Sequence, residues 1–279
     1  MLEAVVISEK DIEKLSERIY ETHGYDFRGY AQASYKRRIH NVHFKLKCKN
    51  IQELSDKILN GRNLFDSFLA ALSVPVTDMF RDPIFFRGLK THVLPHLKSY
   101  PFFKIWHAGC ATGEEVYSLA IFLQEAGLLQ RAMIYATDFN PNALSRAKSG
   151  VIHKKDFNKS QINYKLAGGM KDLSHYGAFK NGDFVFEEQL REKMTFASHN
   201  LVQDGSFGVM NLILCRNTLI YFGKRVQMRV LRLFNDSLVH RGIFCLGFKE
   251  SLDCIDEEQH FETWLLNEKI YKKRIRVKI

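Results

Sequence analysis

The sequence predicts an α/β protein, with a small helical N-terminal domain ahead of a Rossmann-like α/β domain that carries a small antiparallel β insertion. Three observations predict it. The first 74 residues show helical periodicity and no strand pattern, short apolar strands alternate with helices from Phe102 onward, and a glycine-bearing loop follows the first of those strands.

In the N-terminal part, Ile12, Leu15 and Ile19 recur at helical spacing, and Tyr35, Ile39, Val42 and Leu46 form a second stripe. Ile51, Leu54 and Ile58 mark a third helix, which Asn60-Gly61 should stop through a left-handed glycine cap. Phe65, Phe68, Leu69 and Leu72 give a fourth. These residues, 1–74, constitute the helical domain. Pro75 and Pro83 bracket a segment that cannot be one uninterrupted helix, so a linker contributing to the active site is placed at 75–84.

The α/β domain is expected over 85–279. Phe103–Ala108 reads as a strand, Glu114–Ala126 as a helix closed by Gly127, and Ala132–Thr137 as the next strand, ending at Asp138. A helix follows with Asn140 as cap, Pro141 at its first position and Gly150 at its end. Met194–Ala197 and Asn211–Cys215 read as strands, Lys224–Val239 as a helix, Gly242–Gly247 as a strand and Thr263–Ile279 as an edge strand. Such alternation implies a mainly parallel sheet with helices on both faces. Within about 155–195 the rhythm breaks. There Asn181-Gly182 separates two aromatic runs, the signature of a hairpin whose turn residues both need positive φ.

Of 279 residues, 46% are apolar and 26% charged, which suits a globular chain with a sizeable core. No apolar run approaches the ~20 residues of a membrane-spanning helix. The N-terminus has acids at Glu3 and Glu9 and no basic-then-apolar leader, so no secretory signal or membrane insertion is expected. Cys48, Cys110, Cys215, Cys245 and Cys254 are scattered, with no CxxC pair and no zinc spacing, which predicts a cytoplasmic protein without a metal. The net charge of +10 favours an acidic partner, whether nucleic acid, membrane surface or protein.

The loop His107–Glu115 lies where α/β sheets bind nucleotides. Its glycines, Gly109 and Gly113, are four apart rather than in GxGxxG order, and Glu114 and Glu115 stand where a pyrophosphate would sit. Carboxylates there repel phosphate and attract an ammonium, which S-adenosylmethionine (SAM) has and a dinucleotide lacks. One of the two acids is expected only to stabilise the helix dipole. Asp138, at the end of the second strand, is placed to accept from ribose hydroxyls, since Asn140 already supplies the helix cap. A third landmark, Cys215–Phe222, follows an apolar strand and lacks the Pro-Pro loop that grips a planar NH₂. That absence argues against a nucleic-acid base or a glutamine as methyl acceptor.

Four blocks together resemble the chemotaxis receptor methyltransferase (CheR) family: Thr77–Pro83 (TDMFRDP), Ala108–Ser118 (AGCATGEEVYS), Ala136-Thr137-Asp138 and Cys215–Phe222 (CRNTLIYF). Their order and spacing match over essentially the whole chain. The resemblance implies a class I SAM-dependent methyltransferase fold, and a protein-glutamate O-methyltransferase of the EC 2.1.1.80 type that leaves S-adenosylhomocysteine. It implies SAM contacts at Thr77, Arg81, Glu115, Asp138, Asn200, Leu201, Asn217 and Thr218, with Arg81 and Tyr221 near the methyl acceptor. It also implies, as partner, the acidic methylation helices in the cytoplasmic domain of bacterial chemoreceptors. This sequence departs from the family at Pro75, where many relatives carry Asn, at Met79-Phe80 in place of Phe-Phe, and at Phe248-Lys249 in place of His-Ser.

A glutamate carboxylate, with an ordinary pKa of ~4.3, is already ionised at neutral pH, so its methylation needs positioning rather than a general base. Arg81 is expected to orient it and Tyr221 to shape the methyl pocket. Lys36, Arg37, Arg38, Lys45, Lys47 and Lys49 form a basic run. On a helical wheel Arg38 and Lys45 share a face, with Arg37 beside them, away from the apolar stripe, and this face is the expected docking surface for the receptor. The insertion matches the place where some relatives dock a receptor C-terminal peptide by strand addition. Rival readings are a methyltransferase of another protein carboxylate or of nucleic acid, and a non-catalytic SAM-binding regulator.

Overall fold

A computed structural model of the chain describes residues 7–72 and 77–275. Four helices open it: α1 (Glu9–His23), α2 (Gln32–Lys45), α3 (Ile51–Asn60) and α4 (Arg62–Leu72). Ser8 starts α1 with a capping box closed by Asp11, and Asn50 caps α3 by accepting from the Glu53 N–H. The apolar stripes read from the sequence meet in one core, with Ile19, Ile39, Leu54, Ile58 and Phe68 fully buried. Asn60-Gly61 does separate two helices, but Gly61 has φ −121° and is extended. Because α4 begins at the next residue, the chain turns sharply instead of winding into a left-handed cap. Pro75 lies outside the described residues, as do the last four positions of the expected C-terminal strand.

After the linker, α5 (Pro83–Gly88) passes through a π-helical turn at Leu89–Val93 into α6 (Leu94–Leu97). The main sheet then forms from β1 (Phe103–Ala108), β2 (Ala132–Asp138), β6 (Met194–Ser198), β7 (Met210–Cys215), β8 (Leu238–Leu246), β9 (Phe261–Leu265) and β10 (Ile270–Lys273). Its strand order is β6-β2-β1-β7-β8-β10-β9. The first five strands in this order pair in parallel, and β10 runs antiparallel to both β8 and β9. Strand order reverses between β1 and β7, which makes the crevice beyond their carboxyl ends the ligand position of such a sheet. One apolar layer packs against α7 (Glu114–Glu125) and the other against α11 (Lys224–Ser237).

The expected single C-terminal edge strand is instead a hairpin. Ile270 and Tyr271 are buried and paired on both sides, so β10 is interior and β9 forms the edge. The helix expected to reach Val239 ends at Ser237, and β8 takes up the chain from Leu238.

Between β2 and β6 come α8 (Pro141–Ser149), β3 (Val151–Ile152), α9 (Lys154–Leu166), β4 (Gly177–Lys180), β5 (Asp183–Phe186) and α10 (Glu188–Arg191). Asn140 caps α8 by accepting from the Asn142 and Ala143 N–H groups, and Gly150 ends it at φ 64°. The insertion is a three-stranded antiparallel sheet, β3-β5-β4, whose Asn181-Gly182 turn has φ 51° and 90°. It starts at Val151, and β6, whose first two residues fall in the span expected for it, belongs to the main sheet. Glu125 on α7 ties the insertion down, accepting from Tyr164, from Tyr176 Oη at 2.9 Å, from the Met170 N–H at 3.2 Å and from Lys90 Nζ at 3.0 Å.

The helical domain docks on the α/β domain through main chain. The Ala31 N–H donates to the Tyr221 carbonyl at 2.9 Å and the Gly223 N–H to the Gly29 carbonyl at 2.8 Å. Tyr30 and Phe222 pack edge to face between them. A Cβ on Gly29 would stand 2.2 Å from a methyl of Val226, so glycine permits this close approach. Among the described residues no helix is long and apolar enough to cross a membrane.

Candidate active site

The loop after β1 is folded by its own backbone. Gly109, Ala111 and Gly113 take φ of 80°, 47° and 92°, and the Gly109 and Cys110 N–H groups both donate to the Thr137 carbonyl at the end of β2. A side chain at Gly109 would collide with Thr218, its Cβ 2.6 Å from Oγ1. The loop therefore lies flat against the turn after β7. Asp138 braces it from the other flank: Oδ2 accepts from the Ala111 N–H and Oδ1 from the Asn140 N–H, each at 2.9 Å. Burial pushes the Asp138 carboxyl up, and the N–H groups of Asn140 and Ala111 pull it part of the way back. Asn140, not Asp138, caps the helix.

The two acids at the start of α7 divide as the sequence requires. Glu114 accepts from Thr112 Oγ1 at 2.6 Å in the first helical turn. Glu115 faces the cleft and accepts from Arg216 Nη1 at 2.7 Å, while Oε1 lies 3.3 Å from His107 Nδ1. Burial by itself would raise the Glu115 carboxyl; Arg216 and His107 more than reverse this and hold it below the usual carboxylate range.

Arg216 was part of the CRNTLIYF block without an assigned role. With its side chain 1% exposed, it pairs with Glu115 and, through Nη2, with Asp82 at 2.8 Å. Its guanidinium also stacks 3.8 Å from the Phe85 ring centroid. It thus clamps the segment before α5 to the first loop. Asp78 is paired with Lys159. The Phe80 N–H donates to Ser118 Oγ at 2.8 Å, which fixes the same segment against α7.

Asn217 takes φ 59°, an uncommon backbone for a non-glycine residue. Glu250 holds it there: Oε2 accepts from the Asn217 and Gly247 N–H groups at 2.8 and 2.7 Å, and Oε1 from the Ile220 N–H at 3.3 Å. Burial raises the Glu250 carboxyl, and these N–H groups oppose it. The substituted neighbours Phe248 and Lys249 are exposed, so the departure at these positions leaves the brace intact. After β6, Asn200 Oδ1 accepts from the Val202 N–H at 3.0 Å, and Leu201 is buried beside it.

One cleft at the carboxyl ends of β1, β2 and β7 gathers Thr77, Arg81, Glu115 and Asp138 with Asn200, Leu201, Asn217, Thr218 and Tyr221. These are the residues the sequence nominated for cofactor and acceptor. The three basic docking candidates separate. Arg37 and Lys45 are exposed on α2, outside the cleft. Arg38 is 7% exposed and lines the cleft, its guanidinium 4.2 Å from the Tyr221 ring centroid. It is therefore no part of an outer docking face. The wheel that puts Arg38 beside Lys45 ignores that the first half of α2 is covered by the turn at Tyr221, whereas Lys45 ends the helix in solvent. Arg38 and Arg216, which line the cleft, and Glu250, which braces Asn217 from outside it, are residues that sequence reasoning misplaced or missed. Arg216 carried a signal, as a charged residue directly after a buried strand.

The donor set suits SAM. An ammonium needs an ionised acceptor, which Glu115 is, with lone pairs beyond those used by Arg216 and His107. A vicinal diol needs a carboxylate, and Asp138 has one N–H bond on each oxygen and capacity to spare.

Comparison with known proteins agrees with this geometry. The family description "CheR methyltransferase, SAM binding domain" matches residues 75–270, and "CheR methyltransferase, all-alpha domain" matches residues 10–73. Cher3 of Pseudomonas putida is 43% identical over 263 residues, spanning 94% of this chain and 96% of that protein. A chemotaxis protein methyltransferase of Listeria monocytogenes is 28% identical, spanning 88% of this chain and 91% of its own. Chemotaxis protein methyltransferase 1 of Pseudomonas aeruginosa is 29% identical over 74% of this chain and 77% of its own. With both family descriptions matched in order along a cleft of this composition, the chain belongs to the CheR methyltransferase family.

Proposed function

We propose that the protein transfers a methyl group from SAM to glutamate side chains of methyl-accepting chemoreceptors in the cytoplasm, forming glutamate methyl esters and S-adenosylhomocysteine. The observation that carries this reading is the mixed charge of one cleft, lined by Glu115 and Asp138 and also by Arg81. The acids suit a cationic, sugar-bearing methyl donor, and the guanidinium suits an anionic acceptor. The names of relatives that this chain covers over most of their length point the same way.

When bound, SAM supplies an electrophilic methyl group on a sulfonium. An oxygen of the acceptor carboxylate would take that methyl group, the electron pair of the carbon–sulfur bond staying with sulfur. No proton moves, so no general base is required. Glu115 would bind the ammonium and Asp138 the ribose hydroxyls. Asn200 and Leu201 would lie against the adenine, and Thr77, Asn217 and Thr218 would line the donor. Arg81 would hold the acceptor carboxylate through two parallel N–H bonds, and the Tyr221 hydroxyl would shape the methyl pocket. Rate enhancement then comes from alignment and exclusion of water. The exposed charges of Arg37 and Lys45 would meet the acidic receptor helices.

The test is transfer of labelled methyl from SAM into receptor-containing membranes, followed by mild alkali. Label released as methanol is the expected result. Label stable to alkali, or label found in nucleic acid instead, would overturn the assignment.

A further inference from the structure

The loop between α1 and α2 spans the cleft from bank to bank. At one end Gly29 and Ala31 are bonded through main chain to the turn after β7, and Tyr30 between them lines the cleft. At the other end the loop meets the turn after β6, and there the joint is a side chain. Gln203 Nε2 donates to the Gly24 carbonyl at 2.6 Å, and its Oε1 accepts from the Asp26 N–H at 3.4 Å. The same Oε1 accepts from Asn200 Nδ2 at 2.6 Å. Asn200 lines the cleft, and the other end of its amide, Oδ1, takes the Val202 N–H. Its main chain is engaged as well, the N–H donating to Asp204 Oδ2 at 2.8 Å and the carbonyl accepting from the Gln203 and Asp204 N–H groups. Asn200 therefore acts through the shape of the turn it closes. Arg229 of α11 holds that turn from one side, donating to the Leu201 and Gln203 carbonyls at 2.9 and 2.8 Å. Gln203 holds it from the helical domain.

We propose that Gln203 is a positioning residue for the methyl donor, tying the turn that meets the adenine to the loop before α2. Donor affinity then depends on how the helical domain is docked, although its four helices carry none of the donor contacts proposed above. The proposal rests on the reading of Asn200 and Leu201 as the adenine side of a SAM site. A neutral amide suits the position, because it donates to one carbonyl while accepting from two N–H groups, and a carboxylate has no donor. Released from the Gly24 carbonyl, the Gln203 side chain regains its rotamers, and Asn200 loses the acceptor that orients its amide. Adenine presents an acceptor at N1 with a donor amino group beside it, and hypoxanthine reverses both. A turn held in one shape tells the two bases apart, and a loosened turn does so less well.

The experiment measures calorimetric binding of S-adenosylhomocysteine and of S-inosylhomocysteine to wild type, Gln203→Ala and Gln203→Glu, with kcat taken at saturating SAM on receptor membranes. Gln203→Ala is expected to bind S-adenosylhomocysteine about 3–10-fold more weakly, the scale of one lost hydrogen bond, with kcat within about twofold of wild type. Its affinity for S-inosylhomocysteine should change by less than about twofold, so the preference for adenine narrows. Gln203→Glu keeps the acceptor for Asn200 but sets a carboxylate against the Gly24 carbonyl, and should weaken S-adenosylhomocysteine binding at least as much. Wild-type affinity in either variant would overturn the proposal. So would equal weakening of the two analogues, which would make Gln203 a structural residue only, or a loss of kcat with affinity unchanged. If Gln203→Ala does not fold, Gln203→Glu carries the same comparison. A wild-type protein that binds neither analogue would instead overturn the reading of the cleft, and the proposal with it.

Discussion

Arg216 and Glu115 meet at 2.7 Å, one from the turn after β7 and the other from the first turn of α7, and each is oriented by a further partner, Asp82 and His107 respectively. This buried pair joins three separate chain segments at the floor of the cleft. Removing the cation leaves two carboxylates without their partner. Arg216→Met is expected to destabilise the fold by about 3–5 kcal/mol, read as a lowered urea midpoint. Binding of S-adenosylhomocysteine should weaken with it, because Glu115 is then free to turn.

Glu115 and Glu250 should report opposite pH dependences. The Glu115 carboxyl is held below the ordinary glutamate value of 4.5, so its stabilisation is present above that value and fades as pH falls through the lower folded one. The Glu250 carboxyl is held above 4.5, so its contribution is fullest below that value and fades as pH rises through the higher folded one. The stability gap between wild type and Glu115→Gln should therefore widen towards neutral pH, and the gap to Glu250→Gln should widen towards acid. Parallel unfolding curves at pH 4.5 and 7 check both signs.

Tyr221→Phe and Arg81→Ala address the chemistry. Tyr221→Phe is expected to lower kcat by roughly tenfold, and Arg81→Ala to lower kcat/KM for receptor by about a hundredfold, the scale of losing one oriented donor near a reacting group. Calorimetry should find S-adenosylhomocysteine binding to Tyr221→Phe unchanged. A wild-type turnover rate for Arg81→Ala would remove it from the acceptor site.

The joint between the domains is testable by overpacking. Gly29→Ala drives a methyl group into Val226 and is expected to cost about 1–3 kcal/mol. Val226→Ala opens space at the same point, so the double variant should regain most of that loss. Additive effects in thermal unfolding would contradict the contact.

Charge reversal at Arg37 and Lys45, both exposed, should raise KM for receptor several-fold at low ionic strength. Near 1 M salt, where charges are screened beyond ~3 Å, the deficit should disappear. Binding of S-adenosylhomocysteine should not change.

Much of the fold was legible because local rules and tertiary structure agree. Asn140, Pro141 and Gly150 bound α8 by cap chemistry alone, and Asn181-Gly182 turns the hairpin for the reason its residue types suggest. Glu115, Asp138 and Asn217, far apart in the chain, converge because a parallel sheet brings its carboxyl-end loops together, and the Arg216–Asp82 pair holds the segment of Thr77 and Arg81 against them. What the sequence hid depended on packing between domains. Arg38 looks like a solvated charge on any helical wheel, and only the turn at Tyr221 buries it. Glu250 serves backbone groups of residues some thirty positions earlier, and no periodicity marks such a role. The C-terminal hairpin was hidden because alternation defines a strand but not its neighbours.

The helical domain adheres to the Tyr221 loop through peptide groups, and peptide groups are common to every sequence. Divergence at position 31 can thus proceed without uncoupling the two halves, provided a glycine is kept at position 29 and the Tyr30–Phe222 ring contact is preserved. The front end of this enzyme should consequently be interchangeable: a chimera bearing a relative's first seventy residues should assemble and adopt that relative's choice of receptor.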